Sequence, residues 1–75
     1  MPFQIVELEL DDQDHVVRRK ALPHPRATRE EAELKTESAA RSLHASGYDP
    51  AQHCWWARDM NGQSYRFVVE AFNQS

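Results

Sequence analysis

An Asn61-Gly62 dipeptide lies near the carboxyl end of this chain, between two runs rich in aromatic and β-branched residues. The dipeptide favours a type I′ turn, because both central residues of that turn need positive φ. A two-residue loop there pairs Trp56 with Phe67. Successive side chains point to opposite faces of a sheet. This register therefore predicts that Trp56 lies in the core and that Trp55 lies on the other, more exposed face.

The length predicts one domain over residues 1–75. A domain of this size buries only about 60% of its unfolded surface, so its stability is marginal unless a disulfide, a metal or oligomerisation contributes. Cys54 is the only cysteine, which rules out an internal disulfide and suits a reducing compartment. No charged leader or long apolar run stands out, so we expect a soluble, cytoplasmic protein that is not bound to a membrane.

The first third of the chain predicts a β-hairpin. Residues 3–10 are predicted to form a strand, because Val6, Leu8 and Leu10 alternate with Glu7 and Glu9 in the period-two pattern of a half-buried strand. The apolar phase switches near Ile5. The acidic segment 11–14 favours a turn, and 15–22 predicts the second strand. A hairpin centred on this turn pairs Glu7 with Arg18, so opposite charges face one another across the strands.

A helix is predicted after the proline-containing connector 22–27. Thr28 and Glu31 have the spacing of a capping box, in which the threonine hydroxyl accepts from the third helical amide. The helix is expected over 29–46 and to end at Gly47 in a left-handed conformation. The inward face of this helix consists of mostly small residues: Ala32, Thr36, Ala39, Ala40 and Leu43.

The predicted fold is α+β, with the order β-β-α-β-β: a four-stranded antiparallel sheet with one helix packed on one face. Over residues 3–43 this order, with its Thr-x-x-Glu helix start, resembles several small bacterial domains and the antitoxin half of some toxin–antitoxin pairs. The shared motif is generic capping chemistry. No family is assigned on this basis, and no functional residue is carried over.

Catalysis, metal binding and cofactor binding are not expected. The candidate metal ligands are His15, His24, His44, His53 and Cys54. Their spacing does not match the CxxC or HxxxH patterns of zinc sites, so no metal or cofactor is predicted. The sequence has no nucleophile or phosphate-loop motif, and a helix with small residues leaves little room for a substrate pocket.

The helix-free sheet face is the candidate binding surface. The hairpin registers place on it the apolar residues Ile5, Val16, Trp55 and Val68, with Phe3, Leu22 and Phe72 at its margin and charged residues around them. The residues expected to carry binding are Trp55, Val68, Arg66, Arg18, Lys20 and Val16. A contiguous apolar patch with a charged rim is typical of an interface, so we expect self-association or a protein partner. Isolated apolar residues on an open sheet face are also ordinary.

Single-stranded nucleic-acid binding through the same face is the alternative. Trp55 would stack on a base while Arg18, Lys20 and Arg66 contact phosphates. The chain has a net charge of −3, which opposes this alternative.

Overall fold

The computed structural model describes residues 2–23 and 25–71. Over these residues the chain forms one helix and a five-stranded antiparallel sheet of order β2-β1-β5-β4-β3. The elements are β1 (Phe3–Leu10), β2 (Val16–Ala21), α1 (Arg29–Arg41), β3 (Ala45–Asp49), β4 (Cys54–Arg58) and β5 (Ser64–Ala71). The α+β class and the single-faced helix packing are confirmed, whereas the prediction of four strands is wrong. No helix within the described ranges is both long and apolar enough to cross a membrane.

The start and the inward face of α1 are as predicted. Thr28 is the N-cap, and its Oγ1 accepts from the Glu31 amide at 3.2 Å. Ala32, Thr36 and Ala40 are buried. Because these side chains are small, the helix lies close to the sheet, and large sheet residues fill the core between them.

The end of the helix differs from the prediction, and a fifth strand follows it. The helix stops at Arg41, and β3 occupies part of the segment that was assigned to the helix. Gly47 pairs with Trp56 across β3 and β4. A Cβ added to Gly47 would lie 2.7 Å from three indole atoms of Trp56. The glycine therefore makes room for a cross-strand aromatic side chain, as edge glycines do in other sheets, and is not a helix stop.

The β4–β5 hairpin has a three-residue loop in place of the predicted two-residue loop. The Asp59 amide donates to the Gln63 carbonyl, and the Gly62 amide donates to the Asp59 carbonyl, both at 3.1 Å. Gly62 has φ of 85°, but Asn61 has no positive φ. This is the pattern of a type I turn followed by a left-handed glycine. Asp59 Oδ1 stabilises it by accepting from the Asn61 and Gln63 amides, each at 2.9 Å.

The change of loop shifts the register by one residue and reverses the faces of β4. Trp55 now pairs with Phe67, and Trp56 pairs with Arg66. A one-residue shift moves every side chain of a strand to the opposite face. The predicted burial of the two tryptophans is therefore wrong: Trp55 packs against the core, whereas Trp56 is 42% exposed.

Packing against α1 explains why this register is adopted. Ala57 is 1% exposed and belongs to the same buried cluster as Ala32 and Ala40. An alanine on β4 lets the small helix face approach closely. The predicted register would instead turn Arg58 toward the helix, and burying an unpaired guanidinium is costly.

The β1–β2 hairpin also differs from the predicted pairing. Glu7 pairs with Lys20 and Glu9 with Arg18, two residues away from the predicted register. A two-residue shift keeps Glu7 and Arg18 on the same face of the sheet as each other, because the side-chain period is two. An irregularity after Glu9 then pairs Leu10 with Val16, which moves Val16 to the opposite face from Arg18.

Candidate functional site

The structure divides the predicted binding residues between the two faces of the sheet. Trp55 packs on the core cluster beneath α1, and Arg18 and Lys20 lie on the same side of the sheet as Trp55. Val68, Arg66 and Val16 lie on the opposite side. The prediction that these six residues share one surface is wrong. The β4 register turns Trp55 toward α1, and β1 turns Ile5 and Glu7 toward α1 together with the neighbouring Lys20 and Arg18 of β2. The β2 irregularity leaves Val16 on the opposite side. Phe72 lies outside the described residues.

We call the helix-free side of the sheet the open face. The residues that alternate away from α1 on this side include Val6, Leu8, Leu10, Val16, Arg19, Trp56, Arg58, Arg66, Val68 and Glu70. No contacts from α1 reach β2, and those to the other strands come from the opposite side. The open face thus has an apolar centre and several charged groups.

A single row of cross-strand partners crosses the middle of the open face. In the order of the sheet, the row reads Arg19, Leu8, Arg66, Trp56 and Gly47. Adjacent strands are about 4.8 Å apart, so neighbouring side chains in the row are in contact range. The row places the exposed Trp56 next to Arg66 on the neighbouring strand, with its indole over Gly47 on β3. Sequence reasoning missed Trp56, Leu8 and Arg19.

An ion pair spans β1 on the open face. Arg19 on β2 donates through both terminal guanidinium nitrogens to the carboxylate of Glu70 on β5. Arg19 pairs with Leu8, and Glu70 pairs with Gln4, so the bridge passes over Val6 between them. Val6 is fully buried although no helix covers it. The hydrogen bond to Arg19 holds the pKa of Glu70 below its usual value.

A second candidate site lies on the helix side of the sheet. A cleft of about 470 Å³ opens between α1 and strands β3, β4 and β5. Its apolar lining includes Leu34, Tyr48, Trp55, Phe67 and Val69, and its charged lining includes Arg29, Glu30, Glu33 and Glu37. Ligand pockets commonly have volumes of about 300–1,000 Å³. The expectation that this domain has little room for a pocket is therefore wrong.

The aromatic wall of the cleft is formed by two paired rings. Tyr48 and Trp55 have ring centroids 5.5 Å apart, with planes inclined at 62°, which is an edge-to-face contact. The guanidinium of Arg41 lies 5.9 Å from the Trp55 ring, and Arg41 also pairs with Glu37 at 3.1 Å. Tyr48 is 49% exposed at the mouth of the cleft.

One side of α1 forms the opposite wall. Glu30, Glu33, Leu34 and Glu37 have the spacing i, i+3, i+4 and i+7, which places them on one side of a helix. Arg29 pairs with Glu33 at 3.6 Å. Leu34 is 67% exposed, although it is a large apolar residue. This acidic stripe with one leucine is the sequence signal that could have indicated the cleft.

Cys54 and His53 also line the cleft. Cys54 is buried, and this burial raises the pKa of its thiol, which disfavours the reactive thiolate. His53 borders the cleft with φ of 52°. In the two described stretches, no group of three or more histidine, cysteine, aspartate and glutamate side chains is arranged to hold a metal ion.

Comparison with known proteins found no matching family model, no matching curated protein and no matching solved structure.

Proposed function

We propose that this protein is a non-enzymatic binding module whose open face associates with a second copy of the chain. The supporting observation is Trp56, an indole 42% exposed in the row that contains Leu8 and Arg66. Tryptophan and arginine are the residues most enriched at the energetic centres of protein interfaces. Self-association also suits a domain that is small enough to need stabilisation beyond its own core.

The exposed part of Trp56 sets the scale of the proposed interaction. A tryptophan side chain has a surface of up to about 250 Å², so 42% exposure leaves roughly 100 Å² to cover. At about 25 cal/mol per Å², covering it contributes about 2.5 kcal/mol. The half-buried Leu8 and Val68 and the exposed Val16 add to this area. Association entropy offsets much of the gain, so the proposed dimer is weak.

Analytical ultracentrifugation across a concentration series tests this proposal. The wild type should dimerise between micromolar and millimolar concentration, and Trp56→Ser with Val68→Ser should weaken the dimer by at least about tenfold. Leu34→Ser is the matched control, because it removes an exposed apolar side chain on the other side of the sheet. A wild type that stays monomeric at millimolar concentration, or equal weakening by the control, would contradict the proposal.

Single-stranded nucleic-acid binding remains the second candidate for the same face. It is favoured by the position of Trp56 next to Arg66 on the neighbouring strand and two residues from Arg58 on its own strand. An aromatic ring that stacks on a base, with guanidinium groups nearby for phosphates, is the usual arrangement in such proteins. The net charge of −3 opposes it.

Proton–nitrogen NMR with a short oligothymidine at low salt separates the two candidates. Nucleic-acid binding should shift the Trp56 indole signal and the amides of β4 and β5, and added salt should reverse the shifts, because phosphate contacts release counterions. If no signal moves at low salt, nucleic-acid binding through this face is rejected. The linewidths report self-association in the same sample.

A further inference from the structure

We propose that the cleft between α1 and strands β3, β4 and β5 binds a small organic cation with an apolar body. This site is on the opposite side of the sheet from the open face and does not depend on the function proposed for that face. Its volume of about 470 Å³ lies within the range of small-molecule sites. Its two walls differ in chemistry, and each wall suits one half of such a ligand.

The inner wall suits the apolar body of the ligand. Trp55, Phe67 and Val69 line it and also belong to or pack on the buried core cluster, so they are held by the fold. Leu34 and Tyr48 stand at the mouth, 67% and 49% exposed. Two large exposed side chains on opposite sides of one cleft would be covered by an apolar ligand between them.

The helix wall suits a positive charge. Glu30, Glu33 and Glu37 line the cleft, together with the basic residues Arg29 and His53. Arg29 is already paired with Glu33 at 3.6 Å, and its guanidinium also lies 5.5 Å from the ring of Phe3. Carboxylates outnumber guanidinium groups in the lining, so the wall attracts cations and repels carboxylate ligands.

The aromatic pair adds a second attraction for a cation. The Arg41 guanidinium lies 5.9 Å from the Trp55 ring, so this indole already interacts with a cation of the protein. Aromatic faces next to carboxylates are the usual means by which proteins recognise ammonium groups. A neutral apolar ligand would use the inner wall alone and would gain nothing from the three carboxylates.

Three probes with the same phenylbutyl body test the charge preference. They are 4-phenylbutylamine, 4-phenyl-1-butanol and 4-phenylbutanoate, which end in an ammonium, a hydroxyl and a carboxylate group. Trp56→Phe leaves Trp55 as the only indole, so its fluorescence reports on the cleft. Trp55→Phe leaves only the indole on the open face and serves as the control for non-specific quenching.

The amine should bind about tenfold more tightly than the alcohol, and the carboxylate should bind most weakly. Glu30→Gln with Glu37→Gln should remove most of the advantage of the amine and leave the affinity for the alcohol unchanged. Asp12→Asn with Asp14→Asn is the matched control, because it removes two negative charges outside the cleft lining.

Any of three results would overturn the inference. Equal affinity for the amine and the alcohol would show that the carboxylates do not take part. A Trp55 signal that no probe changes at millimolar concentration would show that the cleft takes no such ligand. The same response in the Trp55→Phe protein would place the binding elsewhere.

Discussion

The two adjacent tryptophans provide a direct test of the β4 register. They have the same side chain and neighbouring positions, but Trp55 packs on the core cluster and Trp56 is 42% exposed on the open face. Replacing each in turn by alanine removes the same atoms from the chain. Any difference in the free energy of unfolding therefore reflects the environment of the indole in the folded protein.

The expected costs differ because Trp55 packs on the core cluster, whereas Trp56 is 42% exposed. Trp55 lies between the sheet and α1, so Trp55→Ala should cost about 3–4 kcal/mol, near the range for buried aromatic residues. Around Trp56 water can fill the space, so no cavity term applies. With 42% exposure and the side-chain entropy regained in the mutant, Trp56→Ala should cost about 1–2 kcal/mol.

Urea unfolding followed by far-ultraviolet circular dichroism measures both costs without relying on tryptophan fluorescence. Dilute protein excludes any contribution from self-association. With a slope of about 1 kcal/mol per molar urea, the two midpoints should differ by at least about 1 M. If Trp55→Ala does not fold, the phenylalanine pair Trp55→Phe and Trp56→Phe should give the same order. An equal or reversed order would refute the register and the assignment of both faces.

Substitutions at three further positions test local interactions. Thr28→Ala should cost about 1 kcal/mol of unfolding free energy, and Thr28→Ser should restore most of it, because the hydroxyl caps the helix. Asp59→Ala should cost about 1 kcal/mol through lost turn bonds, whereas Asp59→Asn should cost less; equal costs would exclude the side-chain acceptor as the cause. Glu70→Gln should cost about 0.5 kcal/mol at neutral pH after solvent screening. Arg19 lowers the pKa of Glu70 in the folded protein. The stability difference between the wild type and Glu70→Gln should therefore persist above the usual pKa of 4.5 and disappear as pH falls through the lowered pKa. A stability difference that is constant with pH would exclude the ion pair as its source.

Local chemistry in the sequence was enough to predict the helix start, its inward face and the presence of two hairpins. The cap at Thr28 and the small-residue stripe involve residues within a few positions of one another, so tertiary packing has little opportunity to override them. The apolar alternation of β1 is likewise a local pattern, and it correctly located that strand. The sequence also predicted correctly that acidic residues of β1 pair with basic residues of β2.

Tertiary structure decided the features on which function depends. Asn61-Gly62 is compatible with two turns that differ by one residue in register, and the hydrogen bonds of Asp59 together with the fit of Ala57 under α1 select one of them. That choice reversed the faces of β4 and moved Trp55 into the cleft and Trp56 onto the open face. The strand β3 also depends on a distant partner, because Gly47 is explained only by the indole beside it. Register, edge pairing and clefts arise from contacts between residues far apart in sequence, which a local pattern does not contain.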